Sequence, residues 1–387
     1  MTRGKDGELT RLTRSDAESS CRWVSRGSPQ AYSPTVHSHP DFNRVFESPR
    51  EKPDYLVSRG CSAVEIRNAI CQSGSNLILR GSRATFVGLN RETESFLASY
   101  DLDKLESISK RHIWLRNFES PPPTFEFTEA IVLFGSYMNQ WGHCFQDLVY
   151  RVLAIGVNLK DIPILVQSDS PTNFLELLEG LFGFQKVVLV PKASSVKVKR
   201  AIVPLPRTSC PVGWSVSENI YQKGSGWIID PVGTLQLQTM AANRYGLVRK
   251  PSKKIYLRRS ESRFRRVWNE RNLYRELVAR GFESVEMEDL SMRESLSLLE
   301  QADVVVGVSG SQFLSLLLAP PGIKCIVITS QAQSPYILPQ GLLAAGHQVR
   351  LVRARTVASE SLSPYGLAQG DLWVSVNEVV QMLAEST

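Results

Sequence analysis

Between Lys254 and Thr329 short apolar runs rich in β-branched residues alternate with longer stretches whose apolar residues fall at helical spacing. The pattern predicts strands at 254–258, 283–286, 303–307 and 324–329, with helices at 269–280, 292–301 and 311–317 between them. Strands that are each followed by a crossover helix line up in parallel, and a parallel sheet must be covered on both faces. A looser version of the pattern starts near residue 60. It gives strands at 76–79, 84–87, 130–134, 162–166, 186–190 and 196–206, a helix at 171–181, and a Pro-rich turn at 118–123. The expected class is α/β.

At 387 residues the chain exceeds one ordinary core, so two domains are expected. Residues 1–55 mix Arg, Ser, Pro and Asp with little periodicity and read as a disordered or extended arm. An N-terminal α/β domain follows over 56–227. A long helix at 228–247 opens a second α/β domain over 228–350, and a tail over 351–387 ends in an amphipathic helix near 376–384, expected to pack back on the first domain.

The cysteines Cys21, Cys61, Cys71, Cys144, Cys210 and Cys325 are scattered without a CxxC and read as reduced thiols. No apolar run reaches the roughly 18 residues of a membrane span, and the charged N-terminus has no apolar stretch behind it. A cytoplasmic protein is expected. His37 and His39 lack Cys or carboxylate companions at ligand spacing, so no resident metal is expected. A net charge of +7 suits a polyanion, a phosphate-bearing ligand or weak attachment to an anionic inner membrane face.

Three constellations could carry chemistry. Asn139, His143, Asp147 and Arg151 recur every four residues, which on a helix stacks an amide, an imidazole, a carboxylate and a guanidinium in one row. The other faces carry Trp141, Cys144, Phe145, Leu148 and Val149, so the row must find partners or face a cleft. His143 is the natural base and Asp147 its orienting carboxylate, although the two roles can be exchanged. Asn139 and Arg151 would orient them or bind oxygens of a ligand.

The second constellation is the run Asp303-Val-Val-Val-Gly-Val-Ser-Gly-Ser, a buried strand that turns at Ser309 and Gly310 and opens a helix at Ser311. Amides at a helix start offer an anion seat at the carboxyl edge of a sheet. The third is a basic run holding Arg258, Arg259, Arg263, Arg265, Arg266 and Arg271 against Glu261 and Glu270. Forked guanidinium groups suit diphosphate. Arg259 and Arg266 are the expected ligands, while Arg263 and Arg265 read as a solvated loop.

The ordered set Lys254-Ile-Tyr-Leu-Arg-Arg, Arg266-Val-Trp-Asn-Glu, Gly281-Phe, Glu288-Asp-Leu-Ser and Ala302-Asp-Val-Val-Val-Gly-Val-Ser-Gly-Ser resembles the carboxyl-terminal half of family 61 glycosyltransferases. The Asn139/His143/Asp147/Arg151 row is similar to that family's His-and-Asp helix. The resemblance implies two Rossmann-like domains facing across a cleft, the GT-B type. It further implies inverting, metal-independent transfer from a nucleotide-sugar donor, a UDP-sugar being one candidate, with no other cofactor. By position, Arg259, Arg266 and Asn269 would hold the diphosphate or nucleotide, Glu288 would lie near the nucleoside, and Gly310 and Ser311 would face the phosphates. The acceptor would be a glycan or lipid-linked glycan in surface or capsular polysaccharide synthesis. Ser309 stands where the family usually has His, and Ser315 and Leu318 replace its Asn and Phe.

Two other readings remain. One is a polysaccharide pyruvyl or other group transferase of similar fold, whose Gly-His-Gly loop is related. The other is a non-catalytic polyanion or nucleic-acid binder using the basic run. Only Tyr256, Phe264 and Trp268 interleave those cations, so nucleic acid is not the expected partner.

Overall fold

A computed structural model describes residues 62–75, 77–80, 83–86, 122–135, 138–153, 155, 159–204, 230–259, 264–330, 338–358 and 369–385, with short strands at 22–26, 30–32, 56–58, 105–108 and 113–115. Most of the expected arm, His37, His39, Cys21, Cys61, Cys210, Arg263 and the start of the Pro-rich turn lie outside the described residues. Cys71, Cys144 and Cys325 are free and buried. Among the described residues no helix is long and apolar enough to cross a membrane. The chain divides into two compact units, residues 1–30 with 59–214, and residues 31–58 with 215–387.

The first unit is built on an eight-stranded mixed sheet. Its strands are β1 Arg22–Arg26, β2 Ser62–Gln72, β3 Leu77–Arg80, β4 Arg83–Phe86, β5 Phe125–Leu133, β6 Ile164–Gln167, β7 Val187–Val190 and β8 Ser195–Pro204. The order is β7-β6-β5-β8-β2-β3-β4, and β1 also pairs with β2. The first four are parallel, and from β8 onward the pairings are antiparallel. Ile131–Leu133 and Ile164–Val166 are buried throughout, as strands covered on both faces must be. From β5 the chain steps outward through helix α1 (141–152) to β6 and through α2 (172–181) to β7, then returns as β8 on the other side of β5. Connections therefore reverse between β5 and β8. In open α/β sheets that reversal point is where ligands bind.

The longest strand, β2, escapes the sequence reading because Glu65, Arg67 and Asn68 break its apolar alternation. Glu65 has a remote partner as well as a near one. Glu65 receives Arg200 Nε at 2.9 Å and Arg67 Nε at 3.2 Å, and Arg200 also pairs with Glu129 on β5. These cations hold the Glu65 carboxyl below its usual range, Arg200 contributing most and burial opposing.

The second unit carries β9 Lys253–Leu257, β10 Phe282–Val285, β11 Ala302–Val308, β12 Lys324–Ser330, β13 Gln348–Ala358 and β14 Asp371–Trp373. Their order is β10-β9-β11-β12-β13-β14, parallel through β13, with β14 antiparallel at the edge. Here the reversal falls between β9 and β11. Helix α3 (Pro231–Tyr245) starts at Asp230, whose carboxylate accepts from Gly233 N at 3.0 Å, and stops at Gly246 with φ 68°. Helices α4 (Glu270–Val278) and α5 (Met292–Gln301) follow, α5 opened by a capping box of Ser291 and Glu294.

The expected tail belongs to the sheet and core of this second unit. Residues 348–358 form its fifth strand. The last helix, α6 (Val376–Ala384), inserts Val379, Met382 and Leu383 into a core with Tyr256, Leu273 and Leu277. An apolar stripe on a helix says that it docks but not on what.

His347, just before β13, fixes the packing beneath the β11 loop. Its Nδ1 accepts from Ile323 N at 3.3 Å, so Nε2 carries the proton donated to Leu316 O at 2.8 Å. Burial pushes its pKa down to about 4, with the Leu316 bond opposing and Arg249 assisting. The unfolded chain, with an ordinary imidazole, takes up a proton that the folded chain refuses. Stability is therefore complete above about pH 6.5 and falls as pH drops toward 4, by roughly 2–3 kcal/mol from this residue. Thermal midpoints measured between pH 7 and pH 5 should fall less steeply in His347→Gln than in the parent chain.

Candidate active site

In the first unit the site is built on α1. It begins helical at Trp141–Cys144, widens into a π-helical turn at Phe145–Val149 and closes at Tyr150–Val152. Edge contacts of Phe145 with Trp141 (5.2 Å) and Tyr150 (6.0 Å) brace the wide turn. Such turns cluster at functional sites. They also change the expected row, because a four-residue step does not keep one line through a five-residue hydrogen-bond turn. Asn139 lies in the exposed turn before the helix, away from the packed part of the row.

Arg151 is fully buried. Its Nε donates to Pro204 O at 2.9 Å, and its Nη1 donates to Phe134 O at 3.0 Å and to Asp147 Oδ2 at 3.5 Å. Pro204 ends β8 and Phe134 follows β5, so one guanidinium ties together the carboxyl ends of the two strands that flank the reversal point. Arg151 thus orients Asp147, and its burial leaves it no place among acceptor-binding groups. Burial raises the Asp147 pKa, and Arg151 pulls it back. Burial alone pushes His143 down to about 4, so its imidazole is neutral and able to accept a proton at physiological pH.

In the second unit the loop after β9 and the loop after β11 meet. Ser309 N is held by Ile328 O at 2.7 Å, and its carbonyl accepts Arg265 Nη1 at 2.6 Å and Arg259 Nη1 at 3.4 Å. Gly310 follows in extended backbone with φ 174°, which any residue tolerates. Space, not conformation, demands glycine: a Cβ would collide with Arg259 Nη1 and stand 3.8 Å from Arg265 Nη2. Burial lowers the Arg259 pKa, and the nearby carboxylate of Glu288, on an exposed turn, raises it. Two cations gathered over a glycine at the reversal point of a parallel sheet make a positively charged seat.

Gln312 plays the part here that Arg151 plays in the first unit. Its amide donates to Val308 O at 2.9 Å and Leu257 O at 3.5 Å, the carboxyl ends of β11 and β9. The helix that was expected after Gly310 is a tighter 3-10 helix, Ser311–Leu318, with no side-chain cap and with Ser311 exposed. The positive charge of the seat comes from arginine side chains more than from a helix end.

Two expected ligands are committed elsewhere. Arg266 forks onto Asp371, with Nε to Oδ2 at 3.1 Å and Nη2 to Oδ2 at 2.7 Å. Asn269 donates to Val374 O at 2.7 Å and accepts from Val374 N at 3.0 Å. With Leu372 N donating to Arg266 O and Trp268 N donating to Leu372 O, residues 266–269 are zipped to 371–374. They fasten the loop, and Arg265, at φ 58°, turns the other way into the seat. Arg265, read from sequence as part of a solvated loop, lies with Arg259 on Ser309 O, whereas Arg266 lies on Asp371. Arg258 points outward to Glu270 and Glu286.

A mainly parallel sheet with two arginines gathered at its reversal point defines an α/β protein with a positively charged carboxyl edge. Residues 141–327, a stretch that runs from α1 to β12, match the family model Glycosyltransferase 61. The match supports a glycosyltransferase. No curated protein matches the chain.

Proposed function

We propose that this chain moves a sugar from a nucleotide-sugar donor to a glycan or lipid-linked glycan hydroxyl, with inversion and without a divalent cation. In this reading it is a GT-B-type enzyme of surface-polysaccharide synthesis, working in the cytoplasm or at the inner membrane face. The observation that carries the reading is the pair Arg259 and Arg265 gathered on Ser309 O above Gly310. A diphosphate laid there meets two guanidinium groups. As the acceptor oxygen attacks the anomeric carbon, the bond from that carbon to the phosphate oxygen breaks. The charge left on the departing diphosphate is taken up by the arginines, which do the work a divalent ion would otherwise do. The acceptor proton passes to the neutral imidazole of His143. Asp147, held by Arg151, supplies the negative field that favours the resulting imidazolium.

A thermal-shift panel of UDP-, GDP-, CMP- and dTDP-sugars tests the donor seat, because a bound donor raises the melting point by mass action. His143→Ala should keep that shift and lose turnover. Activity should persist in EDTA. Since the neutral imidazole is the active form, kcat/KM should fall only as pH drops toward about 4. Wild-type turnover in His143→Ala, or indifference to every nucleotide sugar, would remove the reading.

A further inference from the structure

The fastened strap that carries the loop has an outer face that the donor chemistry does not use. Val267 and Leu372 form a parallel bridge, so their flanking residues stand opposite one another in register, Arg266 beside Asp371 and Trp268 beside Trp373. Alternation separates the two sides. Leu372 and Val374 are fully buried and Val267 packs against the same core, while Trp268 and Trp373 are 64% and 47% exposed. Two of the largest apolar side chains thus lie side by side on the surface, with their Cα atoms about 5 Å apart across the bridge. Such a pair is a marked departure from ordinary surfaces.

The pair is fixed in place. Trp268 Nε1 donates to Asp371 Oδ2 at 3.4 Å, the carboxylate that also holds Arg266, and the Asn269–Val374 amide pair locks the next step of the ladder. The rings cannot fold inward without pulling Val267 and Leu372 out of the core. The result is a rigid apolar platform bordered on one side by a guanidinium and a carboxylate. That combination fits a pyranose ring, whose C–H face lies on an aromatic plane while its hydroxyls reach charged or amide groups at the rim. It does not fit a lipid tail or an apolar helix, either of which would leave the Arg266–Asp371 pair desolvated against hydrocarbon.

We propose that Trp268 and Trp373 form a stacking platform for a neutral glycan chain, the acceptor side of the reaction, next to the loop that carries Arg265. The identity of the occupant rests on the glycosyl-transfer reading, whereas the existence of the platform rests on geometry alone. Preorganised aromatic pairs gain affinity because little freedom is lost when a ligand arrives.

The test is a saturation-transfer NMR titration of the full chain with maltotetraose, cellotetraose, mannotetraose and xylotetraose. At least one should bind saturably in about the millimolar range. Trp268→Ala and Trp373→Ala should each weaken it by about fivefold or more, and Trp373→Phe should restore it to within about twofold. The thermal shift given by nucleotide sugars should be unchanged in Trp373→Ala, which separates failure of the platform from failure of the donor seat. Three results would overturn the proposal. One is no binding of any tetrasaccharide, and another is binding indifferent to both alanine substitutions. The third is a change in self-association or in pelleting with anionic phosphatidylglycerol vesicles that replaces the saccharide response.

Discussion

Arg151→Ala is expected to leave little folded protein. The substitution strands the carbonyls of Phe134 and Pro204 at the ends of two buried strands and leaves the Asp147 carboxylate in the interior without its cation. Removing one partner of a buried ion pair costs about 3–5 kcal/mol, a large share of the 5–15 kcal/mol that holds a domain together. Arg151→Lys keeps the charge but cannot fork to two carbonyls, so its loss should be smaller and still clear. Adding Asp147→Asn to Arg151→Ala should recover part of the stability, because the uncompensated charge is gone. Urea unfolding of the four chains measures this. A midpoint for Arg151→Ala equal to that of the parent would mean that the guanidinium is not the clamp described above.

Gly310→Ala is expected to do the opposite, sparing the fold and disabling the seat. The new methyl meets the far end of Arg259, a flexible side chain that can swing away, and the extended backbone accepts alanine. The thermal midpoint should move little. With Arg259 displaced, one of two cations on the departing diphosphate is lost, and kcat/KM should fall by about a hundredfold. Gly307→Ala, three residues earlier, makes the contrast. Its methyl would lie 2.9 Å from Leu257 Cβ and 3.1 Å from a ring carbon of Phe313, both packed in the core. That variant should lose about 1–3 kcal/mol of stability through overpacking. If Gly310→Ala keeps full activity, the arginines do not act over this glycine.

The sequence made the second unit's strand and helix order legible because buried parallel strands must be continuously apolar, and β11 and β12 are. Helices with local stop and start signals were placed to the residue, as at Met292–Gln301, where Ser291 and Glu294 cap each other. What stayed hidden was set by distant partners. Nothing near Arg265 and Arg266 says which one reaches Ser309, because the carboxylate that takes Arg266 lies at Asp371. Strand β2 went unread because the remote cation that balances Glu65, Arg200, lies 135 residues further along the chain. The four-step row at Asn139, His143, Asp147 and Arg151 was visible, but the π-helical turn that bends it is a product of packing around Phe145 and has no local signature.

Because residues 266–269 are zipped to 371–374, the loop that carries Arg265 cannot take its shape while a nascent chain is still missing those later residues. A ribosome must release β14 before Arg265 is aimed at Ser309. Synthesis therefore delays completion of the arginine seat until about a hundred residues after the loop itself has emerged.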